Sequence, residues 1–355
     1  MFNFNPQTLK KLRRFREIRR GYYSFVILAA LLVVLALGEL LVNSRALVVK
    51  YEGEWFFPTY TAFHPGTDFG LDYSYEVNYR ELQAKFAAED GDNWVLMPLV
   101  PYNPYENNAV DGIFRPAAPS LADRHYLGTD TTSRDILARL FYGTRIALLF
   151  SLAFMVWVYL IGISIGCAMG YFGGVFDLFF QRLIEIWSNI PFLYMVIIVF
   201  SVIPSSLSIP SRIAILLAVM VLFSWTSMTY NMRTETYKEK SRDYVAAARI
   251  IGATDTRIIF RHILPNVLST LVTFMPFVVV SAISAVTALD FLGFGLPPPT
   301  PSLGELLKQG TANLRTAPWI VSAAFATLVI LLTLITFIGE AVRESFDPKK
   351  FAFYR

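Results

Sequence analysis

The chain is short of cysteine, histidine and charge, and each shortage closes off a class of function. Its one cysteine, Cys167, lies inside an apolar block, so no disulfide can form within the chain. His64, His125 and His262 are scattered without metal-ligand spacing, which argues against a metal site and against an enzyme built on a nucleophile–base pair. No G-x-x-x-x-G-K-[ST] phosphate loop occurs, so the chain is not itself an ATPase and binds no cofactor of that kind. Charged residues are 16% of the 355, against about 25% in a typical soluble domain. A net charge of +4 is too small to point to nucleic acid.

What the chain has is apolar length. It is 55% hydrophobic with a mean hydropathy of +0.47. The excess sits in blocks of about 20 residues, enough to cross a ~30 Å hydrocarbon core as helix. Six spans are predicted, at 22–42, 146–171, 183–203, 213–230, 267–289 and 318–341. The third is interrupted by Glu185, Asn189 and Pro191. The first follows a basic start, as a signal peptide would, but Asn43, Ser44 and Arg45 come next and no A-x-A site is present. It is read as an uncleaved first helix.

Lysine and arginine in short flanks set direction, because positive residues are retained in the cytoplasm. Residues 1–20 hold seven basic side chains and 233–265 hold seven more; Arg343, Lys349, Lys350 and Arg355 follow the last span. Six spans put all three segments on one side. The reading is therefore a cytoplasmic N-terminus (1–21), a first helix (22–42), a periplasmic insert with an amphipathic lead-in (43–145), a five-helix core (146–342) with a cytoplasmic loop at 233–266, and a cytoplasmic tail (343–355). The insert is rich in aromatics among Pro and Gly, as in WFFPTYTAFHPGTDFG, which predicts a small folded cap rather than a disordered linker. It could pack on the membrane surface or meet a partner.

The stretch SRDYVAAARIIGATDTRIIFRHILPN (241–266) reads as two short amphipathic helices split by Gly252. Small Ala246, Ala247 and Ala248 would let another backbone approach, Thr254 or Asp255 would cap the second helix, and Pro265 would end it at the membrane. Pattern alone fits either a pair of interfacial helices on lipid headgroups or a lever moved by a soluble motor.

This stretch resembles the EAA loop of ABC-importer permeases. Ala247, Ala248, Gly252, Leu264 and Pro265 match in register, while Ala246 and His262 replace the family's Glu and Ile. HYLGTDTTSRDILARLFYGTRIALLFS (125–151) and LDFLGFGLPPPTPSLGELL (289–307) are similar to segments of the oligopeptide/dipeptide branch. YEGEWFFP (51–58) and FIGEAVRESFDP (337–348) are similar to its microcin C type. The resemblance implies an all-α polytopic protein with six transmembrane helices, the type I ABC-importer permease fold, in a bacterial inner membrane. It implies a second permease subunit as partner, ATP-binding subunits that hold ATP and Mg, a periplasmic solute-binding protein and a peptide cargo. Contact with the ATPase is then expected from Ala247, Ala248, Arg249, Gly252, Ala253, Leu264 and Pro265.

Other features carry less specific signals. Gly162, Gly166 and Gly170, four apart in the second span, suit close helix packing, with a place on the substrate path as the alternative. Glu39, Asp177, Arg182, Asp290 and Glu340 sit near span ends, where anchoring or pairing between subunits is expected. Asn189 with Pro191, and Pro276 with Ser281 and Ser284, are candidates for the translocation path, because bent polar helix is tolerated where it lines a cavity. Pro297, Pro298 and Pro299 read as a rigid turn into a short helix. A secondary transporter working without ATPases is the alternative, and it predicts inverted repeats and mid-membrane charges that are not evident.

Overall fold

A computed structural model of the chain describes residues 6–346 apart from 90, 109–111, 113 and 205. The tail residues Lys349, Lys350 and Arg355, and the end of the 337–348 segment, lie outside the described residues. Helix α1 (Pro6–Glu17) precedes α2 (Arg19–Ala36) and the short α3 (Gly38–Leu41), so the first span is broken once, at Leu37. The insert follows, with β1 (Val48–Tyr51), β2 (Glu54–Phe56), α4 (Tyr79–Ala88) and β3 (Trp94–Leu96). Then come α5 (Ile136–Phe172), α6 (Gly174–Ser188), α7 (Phe192–Val202), α8 (Ile209–Lys240), α9 (Asp243–Ile250) and α10 (Asp255–Ile258). A π-helical turn (Ile259–Ile263) joins α10 to α11 (Leu264–Leu271); α12 (Met275–Leu292), α13 (Leu303–Ala312) and α14 (Pro318–Phe346) complete the order.

Five of these helices, α2, α5, α8, α12 and α14, are long and apolar enough to cross a membrane. A sixth span results if α6 and α7, bent by 75°, count as one. The bend falls where the sequence put Pro191: its ring pushes the preceding residue away from helical angles and it has no N–H to donate. Helix α5 begins ten residues before the predicted span, so lead-in and span are one rod.

One expectation needs correction. Pro265 does not end its helix. It sits in the first turn of α11, and the wider π turn just before it makes room for a ring that would otherwise crowd the carbonyl four residues back. The fold is helical as expected, and the insert adds a small antiparallel sheet of order β2-β1-β3, with Val49 opposite both Phe56 and Val95. Its inner face and α4 close a small core of Val49, Phe69, Tyr79, Leu82, Phe86 and Val95. The predicted folded cap is there.

Contacts sort the bundle into two ends. The start of α2 packs on the end of α14, where a Cβ at Gly21 would lie 3.1 Å from the Phe337 carbonyl oxygen and Arg20 pairs with Glu340 at 3.4 Å. The end of α5 meets the α9–α10 hairpin. The insert, the start of α5, α13 and the start of α14 share the opposite end, where Trp319 Nε1 donates to the Thr129 carbonyl at 3.2 Å. Much apolar surface stays uncovered, and α6 has no buried residue at all.

Candidate functional site: the α9 hairpin and the cavity behind it

Helix α8 runs ten residues past the predicted span, so the loop starts as a rigid rod ending at Lys240. Helix α9 then closes on itself. Ala253 N–H donates to the Ala248 carbonyl (3.0 Å) and Gly252 N–H to that of Arg249 (2.9 Å), the two bonds of a Schellman motif. The motif needs a left-handed residue, and Gly252 supplies it at φ +84. No atom lies within 4 Å of where its Cβ would be, so backbone angle rather than space demands glycine. Thr254 Oγ1 accepts from Arg257 N–H at 3.4 Å and caps α10.

The hairpin has two faces. Val245, Ala248, Ile258 and Ile263 are buried in the central core with Leu216 and Met232. Ala246 and Ala247 are exposed, and Ile250 and Ile251 at the tip are 87% and 85% exposed. Of the residues assigned to the motor contact, Ala247 and Gly252 are on the outer face. Ala248 is buried, Ala253 and Leu264 pack against the core, and Pro265 is exposed on α11. Arg249 leans back, its guanidinium 5.3 Å from the Tyr171 ring centre. Sequence reasoning missed Ile250 and Ile251. Their signal was two large apolar residues out of phase with the buried Val245 and Ala248.

Polar tethers fasten the hairpin to the bundle. Tyr171, at the end of α5, donates to Asp255 Oδ1 and also carries Lys240 over its ring at 5.6 Å. Tyr244 donates to Glu239 Oε2 (2.6 Å) and accepts from Asn266 Nδ2 (3.2 Å). Burial, then the Glu239 carboxylate, push the Tyr244 hydroxyl up to about 12, so it keeps its proton at neutral pH. Helices α5 and α8 are joined along their length by the glycine seam. A Cβ at Gly162 would lie 2.6 Å from Met228 Cγ, one at Gly170 2.6 Å from the Arg233 carbonyl, and one at Gly166 would strike the Thr229 carbonyl. These glycines serve packing.

Beyond the seam a cavity of about 430 Å³ opens between α5, α8 and α12. Ser224, Thr226, Ser227 and Asn231 of α8 and Ser281 of α12 give it hydroxyls and an amide; Phe154, Phe223 and Phe277 give it aromatic faces. Among the described residues no ionisable side chain lines it, so this wall offers hydrogen bonds without fixed charge. Of the path candidates, Ser281 lines the cavity. Pro276 instead packs on the Gly339 face of α14, and Ser284 donates to the Val280 carbonyl at 2.9 Å. Asn189 and Pro191 are exposed at the bend. Their neighbours Trp187 and Phe192 pack on Phe223 at 5.5 and 6.2 Å, so the bend backs the cavity wall without lining it. The α8 residues were missed although 224 and 227 lie three apart within a predicted span and 231 follows at helical spacing one residue past its end.

Residues 162–351, which include the hairpin and the α8 and α12 walls of the cavity, match the family described as "Binding-protein-dependent transport system inner membrane component". The chain belongs to that family. It is 40% identical over 350 residues to a protein of Escherichia coli (strain K12) named inner membrane ABC transporter permease protein YejE, covering 99% of each chain. It is 36% identical to the peptidoglycan transport system permease protein YejE of Agrobacterium fabrum, covering 98% of this chain and 94% of that one. It is 35% identical to the dipeptide transport system permease protein DppC of Haemophilus influenzae, over 72% of this chain and 85% of that one.

For this inner membrane component the LGTD and SRD residues have a structural task at the insert end. Asp130 accepts from Arg134 Nε (2.8 Å) and lies 3.5 Å from Arg139 Nε, and both arginines reach Glu305 of α13. Arg139 is completely buried. Asp135 caps α5 through Ala138 N–H (2.7 Å) and holds His125 Nδ1 at 2.8 Å. Thus α5, the insert and α13 form one fastened block, with α13 entered through the proline turn and capped by Ser302. The span-end charges pair within the chain as well: Asp177 with Arg233 (2.5 Å), Arg182 with Glu185 (2.6 Å), Glu39 with Tyr142 (2.9 Å) and Asp290 with the Leu296 N–H (2.6 Å).

Proposed function

We propose that this chain is one permease subunit of an ATP-driven importer of peptides, and that the α9 hairpin is where the motor grips it. The observation that carries this reading is the two-faced hairpin. One face is built into the bundle core, and the other leaves Ile250 and Ile251 uncovered at the tip. An apolar tip on a rigid, tethered mount suits a socket in a soluble partner better than a loop that merely closes a turn. Two of the relatives are named as permeases of peptidoglycan and dipeptide transport systems, which supports cargo with a peptide backbone.

The mechanism follows from the mounting. ATP-binding subunits, which supply ATP and Mg, close on each other and move the tip. Val245 and Ala248 pass that motion to α8, and Tyr171 passes it through Asp255 and Arg249 to α5. Both helices wall the cavity, so the cavity opens or narrows with the hairpin. Its hydroxyls and amide would meet peptide N–H and C=O groups of any sequence, and its phenylalanines would meet side chains. A second permease subunit supplies the facing wall, and a solute-binding protein delivers cargo at the insert end. N- and C-termini are then cytoplasmic.

The test is cysteine crosslinking in the assembled complex. A pair joining position 250 to an ATP-binding subunit should form in high yield and abolish peptide uptake, with uptake restored on reduction. No crosslink from 250, 251 or 247 under any nucleotide condition would overturn the reading.

A further inference from the structure

The outer face of the insert sheet carries two rows of exposed or half-buried side chains that the transport reading does not use. The strand register sets them: Lys50 lies between Trp55 and Trp94, and Val48 lies beside Leu96, with Phe57 just past β2. Trp55, Phe57, Trp94 and Leu96 are all exposed, and the two tryptophan rings meet edge to face at 5.6 Å. The first row, Phe57–Val48–Leu96, is wholly apolar. The second, Trp55–Lys50–Trp94, is amphipathic. Beyond it come Glu52 and Asp92, the latter bound to Lys50 Nζ at 2.9 Å.

The apolar row is the one nearer the bundle. Leu47 N–H donates to the Leu96 carbonyl (2.8 Å), Asn43 N–H to that of Val100 (3.1 Å), and Val100 N–H to that of Leu41 in α3 (2.9 Å). Leu99, between Leu96 and that junction, is also exposed. Along the strands, polarity therefore rises away from the end of the first span. A docking face for a soluble partner has an apolar centre and a polar rim on every side; here the apolar row is the one next to the span end, with exposed Leu99 following it. Rows two residues apart are about 7 Å apart, and the headgroup layer of one leaflet is about 5–7 Å thick. Tryptophan and lysine are the side chains that suit that layer.

We propose that this sheet face lies in the lipid headgroup layer beside the first span. Phe57, Val48 and Leu96 meet the acyl boundary, Trp55, Lys50 and Trp94 lie among headgroups, and Glu52 and Asp92 are in water. The insert is thereby held tilted onto the bilayer, with α4 turned away from it. This needs only that the chain spans a membrane, so it can fail while the peptide reading stands.

The experiment uses the full chain with Cys167→Ala, reconstituted into phosphatidylcholine–phosphatidylglycerol vesicles. A fluorophore is placed on Leu96→Cys, Trp94→Cys or Ala84→Cys, the last on the exposed side of α4. Lipid carrying a nitroxide near the headgroup should quench the label at 96 several-fold more than that at 84, with 94 between them. Aqueous iodide should give the reverse order. Equal lipid quenching at 96 and 84 would overturn the proposal, as would a label at 96 shielded only when a soluble binding protein is added. If Leu96→Cys is not inserted, Trp55→Phe gives a second measurement: intrinsic fluorescence should lose part of its lipid-nitroxide quenching, and unchanged quenching would count against the proposal.

Discussion

Replacing both tip residues, Ile250→Ser with Ile251→Ser, isolates the grip of the motor from the integrity of the bundle. Both side chains are at least 85% exposed, so their loss removes little packing from the chain itself. Fully burying an isoleucine contributes about 1.5–3 kcal/mol, and a shallow socket recovers part of that from each, so together they are worth about 2–4 kcal/mol. At about 1.4 kcal/mol per decade, the affinity of the ATP-binding subunits should fall roughly 30- to 1,000-fold. The assay is equilibrium binding of purified ATP-binding subunits to the permease pair in nanodiscs, with the thermal midpoint of the pair measured alongside. That midpoint should be unchanged. Val245→Ser is the contrast: its side chain is fully buried, so it should lower the midpoint as well as the affinity. Binding within twofold of the parent for the tip double variant would refute a hairpin-tip grip.

Gly252→Ala should insert normally and cost about 1 kcal/mol locally, because only the backbone angle opposes it; Gly252→Val should cost more and uncouple ATP hydrolysis from uptake. Gly166→Leu should cost about 1–3 kcal/mol or more through overpacking against Thr229 and Met232, read as lost folded protein in detergent, whereas Gly91→Leu on the insert, where a side chain meets nothing within 4 Å and the backbone angle is ordinary, should assemble. Glu305→Gln should lower the thermal midpoint by an amount worth about 2–3 kcal/mol, since it leaves buried Arg139 with Asp130 as its one carboxylate among the described residues, beside the Pro104 carbonyl; Arg139→Met with Glu305→Gln should recover part of it. Among single cysteines, Ser281→Cys should be labelled and protected by peptide, while Asn189→Cys should be labelled without protection.

Most of the span layout was legible because a 20-residue apolar run has one economical solution in lipid. What the runs concealed were their ends. Residues 136–145 and 231–240 are polar enough to fall outside a hydropathy window, yet nothing in them breaks a helix. The π turn was invisible because it answers a clash, not a composition. Strands of four, three and three residues are too short for an alternation to register, and β1 pairs with β3 across more than forty residues of chain. The hairpin's Gly252 and Thr254 could be read from local rules, since cap and Schellman geometry are set within a few positions. Which side of α9 faces the core could not, since that depends on Leu216 and Met232 of α8. The Asp130–Arg139–Glu305 charges form one cluster only once α13 is folded back onto α5.

The glycine seam has a mechanical consequence. Two helices whose backbones touch at three successive turns cannot slide or twist past each other without collision, so α5 and α8 behave as a single beam. At 1.5 Å per residue the 32 residues of α8 make that beam about 48 Å long. A tilt of only about 5° would carry one end some ~4 Å relative to the other, given that length. Bending is left to the places where the regular ladder of backbone bonds is already altered, among them Leu37, the Asn189–Pro191 corner, and the gap between α11 and α12. Such breaks are the joints about which a stiff lever can swing.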